Sequence, residues 1–219
     1  MRINERSSGL IEDFQDKVFH VLGCGAIGSS AATQLCRMGV EKFVLYDMDK
    51  VEIQNIGVSH YILKDVGKKK VDALSSHLKS INDEVSIQSN HGLFLDFGKT
   101  LNSNDVVILG FDSMEARLEA AKEALNKKNK PFLLIDGRMG SEQYRQYVLK
   151  NPKLQDYINT WYSDESASDE PCNAKATSYC SNMSGAFIAN AVKKVLNNEP
   201  CKAEIIFTFP NNMLVSSAQ

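Results

Sequence analysis

The run VFHVLG (18–23) passes directly into Gly23-x-Gly25-x-x-Gly28, and no other stretch restricts the fold as much. A strand that turns into a helix through three glycines leaves little choice of geometry. Gly23 permits the tight turn, Gly25 lets the backbone approach a phosphate, and Gly28 lets helix lie close on strand. The helix, read over 26–38, then offers free N–H groups and the positive end of its dipole to an anion. Asp47 ends the next apolar run, KFVLYD (42–47), where a carboxylate can accept hydrogen bonds from a ribose. These residues are candidate nucleotide ligands. A turn packed tightly for its own sake, with Asp47 as a strand-end cap, would use the same residues.

The alternation continues downstream. Val71, Leu74, Leu78 and Ile81 predict an amphipathic helix over 67–81. VSIQSN (85–90), DVVILG (105–110) and PFLLID (131–136) read as strands, with a helix over 113–126 before the last. Strand and helix in turn imply a doubly wound, Rossmann-like α/β fold, with a mostly parallel sheet and helices on both faces. Beyond it, 141–149 alternates as a strand and 183–196 is a strongly apolar helix. AEIIFTF and NMLVSS form a C-terminal antiparallel hairpin. Residues 151–175 are polar, acidic and without period, and are expected to be a mobile crossover loop. No repeat or linker divides the chain, so a single domain over 1–219 is expected.

Composition excludes some classes. A net charge of −2 offers no electrostatic basis for binding nucleic acid or a membrane surface. The longest apolar runs fall well short of a membrane span, and the N-terminus is too charged for a secretory signal. A cytoplasmic location is expected. Five cysteines, with no CxxC pair, suit a reducing compartment and give no zinc-site spacing, so no zinc is expected. Cys24, Cys36 and Cys180 are expected in the core. His20 lies inside a strand, and the four histidines form no cluster with a cysteine.

The segment YDMDKVEIQNIGVSHYILKDVGKKKVDAL (46–74) resembles the ThiF/MoeB/HesA family, relatives of the ubiquitin-activating enzymes. That family shows Asp-x-Asp-x-Val-x-x-x-Asn and then Gly-x-x-Lys opening a helix. Here these are Asp47, Asp49, Val51, Asn55, Gly67 and Lys70. DVVILGFDSMEARLEA (105–120) is similar to the family's strand ending in an Asp and followed by an early helical Arg, here Asp112 and Arg117.

The resemblance implies an ATP site for making acyl adenylates. Asp47 would hold the ribose, and Asp49 and Asn55 would lie near the nucleotide. Lys70 would neutralise the phosphates, and Asp112 would bind Mg²⁺, which screens attack of one anion on another. The acceptor would be the C-terminal carboxylate of a small ubiquitin-like or sulfur-carrier protein, or of a peptide. A homodimer is implied, with Arg6 reaching the partner's site. Cys172 occupies the place of a cysteine that forms a thioester in some members; a catalytic thiol there must be exposed and near positive charge.

Simpler readings stand beside these. Lys70 is one of three consecutive lysines, commonly a solvated face, and Asp112 is a plausible helix N-cap. The chain also departs from the family. Val58 and Ser59 stand where an Arg-Gln pair is usual, and valine cannot clamp phosphate. This supports a second reading, a binding partner that keeps the fold with weakened catalysis. A nicotinamide-dependent oxidoreductase is a third, resting on the glycines and Asp47 alone.

Overall fold

The computed structural model describes residues 3–7, 9–10, 14, 16–92, 94, 97–163 and 176–217. The chain alternates β1 (Phe19–Leu22), α1 (Ala26–Arg37), β2 (Lys42–Asp47), α2 (Lys70–Ile81), β3 (Ser86–His91), β4 (Val106–Leu109), α3 (Met114–Leu125) and β5 (Leu133–Met139). It then continues through β6 (Gln143–Lys150), a short α4 (Leu154–Ile158), α5 (Ser178–Leu196), β7 (Glu204–Thr208) and β8 (Met213–Ser217). All eight strands form one sheet in the order β3-β2-β1-β4-β5-β6-β7-β8. The first five are parallel, and β6, β7 and β8 join antiparallel.

Both faces of the parallel half are covered, which is why its strands read as continuous apolar runs. In β4, Val106 and Ile108 face the core under α1, α2 and α5. Val107 and Leu109 face the opposite core, under α3 and α4. Leu35, Leu74, Leu78, Ile188 and Val192 fill the first layer, and Ala120, Ala124, Leu125 and Tyr157 the second. Each large aliphatic side chain so buried contributes roughly 1.5–3 kcal/mol.

Element boundaries differ from expectation in instructive places. α2 starts at Lys70, not Gly67, because Gly67 takes φ +87° and Lys69 is extended. Residues 67–70 instead pair with 49–51: Gly67 N–H donates to Val51 C=O, Val51 N–H to Lys68 C=O and Lys70 N–H to Asp49 C=O. β5 runs on to Met139, since Gly137–Met139 find partners in β6. α5 begins at Ser178, five residues before its apolar run, and its polar first turns lie against α1. Ser181 Oγ donates to Ala26 C=O at 3.0 Å, and a Cβ on Gly185 would come within 2.3 Å of Ser30 Oγ. Within the aperiodic stretch, Leu154–Ile158 form α4 and Tyr157 is fully buried. Residues 164–175, with Cys172, lie outside the described residues.

Strand order reverses between β1 and β4, so their carboxyl ends open a crevice at the topological switch point. Register brings Leu22 of β1 level with Tyr46 of β2 and Leu109 of β4, and Leu109 level with Asp136 of β5.

Candidate functional site

The glycine turn leaves β1 at this crevice, and its three glycines do different work. Gly23 takes φ +88°, and a Cβ there would meet Gly110 C at 2.8 Å. A Cβ on Gly28 would come within 1.8 Å of Gly23 O, so that glycine is required by the helix lying on the turn. At Gly25 a Cβ would meet nothing within 4 Å: the turn is open to the crevice at this position. Gly25 is also the N-cap of α1, with no side-chain cap and no acid in the first turn. The first N–H groups of α1 therefore have no side-chain partner at the cap, and face where an anion would sit.

Asp47 binds the turn directly. Its Oδ2 accepts Cys24 N–H at 2.7 Å and its Oδ1 accepts Asp49 N–H at 2.8 Å. Each oxygen keeps a second lone pair, enough for a ribose hydroxyl. Burial pushes the Asp47 carboxyl above its ordinary range, against the pull of Lys70 and these two N–H groups. On the other side of the turn the Tyr61 hydroxyl donates to Cys24 C=O, with Lys70 C=O next at 3.3 Å. Tyr61 is 3% exposed. The two peptide units on either side of Cys24, in the phosphate-approaching turn, are thus both held. Nothing in the pattern of SHYILKD marked Tyr61, because its partner lies 37 residues away.

Lys70 is not part of a solvated lysine face. Its side chain is 12% exposed and its Nζ lies 2.7 Å from Asp49 Oδ2. Burial would lower its pKa, but the Asp49 hydrogen bond and the charges of Asp47, Asp49 and Asp112 raise it instead. The structure thereby brings Asp47, Asp49, Lys70 and Asp112 into one electrostatic group beside the glycine turn. Asp112 is exposed and is not the cap of α3. Ser113 holds that role, its Oγ accepting Ala116 N–H at 3.2 Å.

Other expected residues take different places. Asn55 Oδ1 accepts Glu52 N–H at 2.8 Å, which closes the turn over 52–55. Val58 and Ser59 line a cleft with Ile56, His60, Ser178 and Asn182. Arg6 is exposed on a segment anchored by Asn4, whose Nδ2 donates to Met38 C=O at the far end of α1. Twelve helical residues separate that anchor from the glycine turn, about 18 Å of rise. Arg138 is 6% exposed and bound to Asp136, so its charge is taken up within the protein. Cys24, Cys36 and Cys180 lie in the core, and burial pushes the last two thiols up to about 11. His20, 2% exposed, bonds Asp105 at 3.2 Å.

Sequence reading passed over Asp136 entirely. It is fully buried and accepts four hydrogen bonds: from Arg117 Nη1, from Arg138 Nε at 2.9 Å and Nη2 at 2.7 Å, and from Tyr157 Oη at 3.1 Å. An acid inside a buried strand was the available signal, since such a group requires partners.

These residues fit a magnesium nucleotide. The open position at Gly25 and the uncapped helix N-terminus suit phosphate. Among the described residues no three His, Cys, Asp or Glu side chains converge to hold a metal ion by themselves. Mg²⁺ commonly takes one or two carboxylates together with substrate phosphates, and an exposed Asp112 beside a half-buried lysine suits that arrangement.

A family model described as the ThiF family matches residues 4–214. Ubiquitin-like modifier-activating enzyme 5 of Drosophila grimshawi is 33% identical over 132 residues, 54% of this chain and 33% of that protein. The Caenorhabditis briggsae protein of the same name is 32% identical over 143 residues, 57% of this chain and 32% of its own length. This chain thus spans about a third of the curated relatives it matches. Among solved structures, E. coli MccB with ATP superposes with a TM-score of 0.73 at 20% identity, covering 92% of this chain and 63% of that one. MccB in complex with N-formylated MccA gives 0.71 at 18% identity, with coverage of 92% and 64%. PaaA gives 0.71 at 19%, with coverage of 93% and 64%. At these identities the structural likeness concerns the fold.

Proposed function

This chain belongs to the ThiF family, and from that premise we propose that it adenylates a carboxylate. ATP would be the donor and Mg²⁺ its companion. The acceptor would be the C-terminal carboxylate of a small ubiquitin-like or sulfur-carrier protein, or of a peptide. A carboxylate oxygen attacks the α-phosphorus, the bond from that phosphorus to the bridging oxygen breaks, and pyrophosphate leaves with the electron pair. The product is an acyl adenylate.

The observation that carries this reading is the position of Lys70. A nicotinamide enzyme has no evident use for a half-buried ammonium held among Asp47, Asp49 and Asp112 at the mouth of a phosphate-approaching turn. A phosphate-transfer site does, because charge builds on the departing oxygens and a fixed cation in a poorly solvated site stabilises it. In this scheme Asp47 orients the ribose, the first turn of α1 and Lys70 hold phosphate oxygens, and Asp112 ligates Mg²⁺, which supplies further charge screening. Asn55 borders the nucleotide. Relatives named as activating enzymes for ubiquitin-like modifiers, and a neighbour solved in complex with N-formylated MccA, support the acceptor class. A homodimer, with Arg6 acting in the partner's site and Cys172 as a later thiol acceptor, extends the same proposal. So does a cytoplasmic location.

Exchange of labelled pyrophosphate into ATP, measured with candidate carboxylate tails, tests it. Tail-dependent exchange supports adenylation. Val58 in place of an arginine favours the second reading, a nucleotide-binding partner without catalysis; tight ATP binding with no exchange for any tail would select it. Cys172→Ala should leave exchange unchanged, since the thiol acts only after the adenylate forms.

A further inference from the structure

Asp112 is exposed, and the turn it sits on is gripped from beneath. The Arg117 guanidinium donates through Nη2 to Phe111 C=O and through Nη1 to Leu109 C=O at 3.4 Å. Those carbonyls bracket Gly110, whose backbone is the surface against which Gly23 packs. Arg117 is itself held by Asp136, which also takes Arg138. From Arg138, Nη1 reaches Thr160 C=O at 2.8 Å, and the rings of Tyr147 and Tyr162 lie 4.5 and 5.2 Å from the guanidinium. Tyr157 donates to Asp136, and Trp161 Nε1 donates to Met114 C=O at 2.7 Å in the first turn of α3. Residues 157–162 belong to the stretch that follows β6.

The four hydrogen bonds that Asp136 accepts are therefore shared between the turn that bears Asp112 and the 157–162 segment. Burial alone would raise this carboxyl, but Arg117 and Arg138, with the Arg138 and Tyr157 hydrogen bonds, hold it below its ordinary range. A buried charge network contributes little net stability compared with apolar packing of the same volume. Its distinctive property is fixed geometry, because each ion has one arrangement that satisfies all of its neighbours.

The geometry points to Asp136 and Arg117 as positioning residues for Asp112, with Tyr157, Thr160 and Trp161 tying that position to the 157–162 segment. Displacement of residues 157–162 would thus be transmitted to the Asp112 turn through two guanidinium groups. The inference rests on the reading of Asp112 as the Mg²⁺ ligand, and it assigns no contact between the network and nucleotide.

The test uses the full chain and two variants. Arg117→Lys keeps the charge and loses the two-pronged grip on Leu109 and Phe111. Tyr157→Phe combined with Trp161→Phe keeps an aromatic ring at each position and removes the two outer hydrogen bonds, so it decides the matter if Arg117→Lys does not fold. ATP affinity is measured across Mg²⁺ concentrations and in EDTA, alongside thermal melting and amide exchange over residues 110–113 without nucleotide. In Arg117→Lys the half-saturating Mg²⁺ should rise about tenfold, the scale of one lost charged hydrogen bond. ATP affinity in EDTA should hold, and exchange at 110–113 should quicken. The aromatic pair should move both quantities in the same direction by a smaller factor. Equal loss of ATP affinity with and without Mg²⁺, or an unchanged Mg²⁺ dependence in variants that fold, would overturn the positioning role. A wild-type chain that binds ATP without any Mg²⁺ dependence would overturn the metal assignment, and this inference with it.

Discussion

At the scale of single residues, the site turns on a lysine whose charge burial disfavours and whose neighbours restore it. Lys70 keeps its proton because Asp49 bonds it and Asp47 and Asp112 add their charge. Lys70→Met preserves the packed stem and removes only the ammonium. It should abolish pyrophosphate exchange while leaving the melting temperature near that of wild type, and full exchange in that variant would remove Lys70 from the chemistry. Gly25 and Gly28 give a second pair. An alanine at Gly25 has open space, so Gly25→Ala should fold normally and weaken ATP binding by about tenfold or more, a cost above 1.4 kcal/mol. Gly28→Ala drives a Cβ into Gly23 O and should destabilise the fold itself. Isothermal titration with ATP, alongside melting curves, separates the two. Unchanged ATP affinity in Gly25→Ala would end the phosphate reading of the turn.

At the scale of elements, the start of α3 separates two roles that sequence left joined. Asp112 and Ser113 are adjacent, and either could have capped the helix. Ser113 caps it, which leaves the Asp112 carboxylate uncommitted by the helix. Ser113→Ala should therefore lower stability by about 1 kcal/mol in urea titration. Asp112→Ala should change stability by less than about 0.5 kcal/mol, as exposed positions usually do, while abolishing exchange. The opposite stability order would return Asp112 to a capping role. The same logic explains α5. Its polar first turns carry no apolar period, and they are helical because Ser181 and Gly185 let α5 lie close on α1.

Across the whole molecule, Asp136 joins sheet, α3 and the 151–163 segment through charge. Its carboxyl is depressed in the folded state, so its stabilisation is complete above the unfolded carboxylate value and is lost as pH falls through the lower folded one. The gap in unfolding free energy between wild type and Asp136→Asn should thus narrow below about pH 4. Near neutrality, removing this partner of two buried guanidinium groups should cost about 3–5 kcal/mol. Denaturant titrations at a series of pH values would show it, and a gap independent of pH would mean that Asp136 is not ionised in the fold.

The doubly wound half, its strand order of appearance and the glycine turn were legible in the sequence, because each depends on residues close together in the chain. Period-two and period-3.6 patterns and the φ of Gly23 are local facts. The Asp47, Asp49, Lys70 and Asp112 set was legible only through a resemblance, since spacing alone left Lys70 on a solvated face and Asp112 at a cap. Tertiary structure decided what lies between distant segments. The 49–51 and 67–70 pairing sets Lys70 beside Asp49, Tyr61 closes over Cys24, and Asp136 gathers Arg117 and Arg138 where the resemblance predicted only an early helical arginine. Burial and partner distance set the charge and the duty of each of these groups, and both are properties of the folded sheet, which no stretch of neighbouring residues contains.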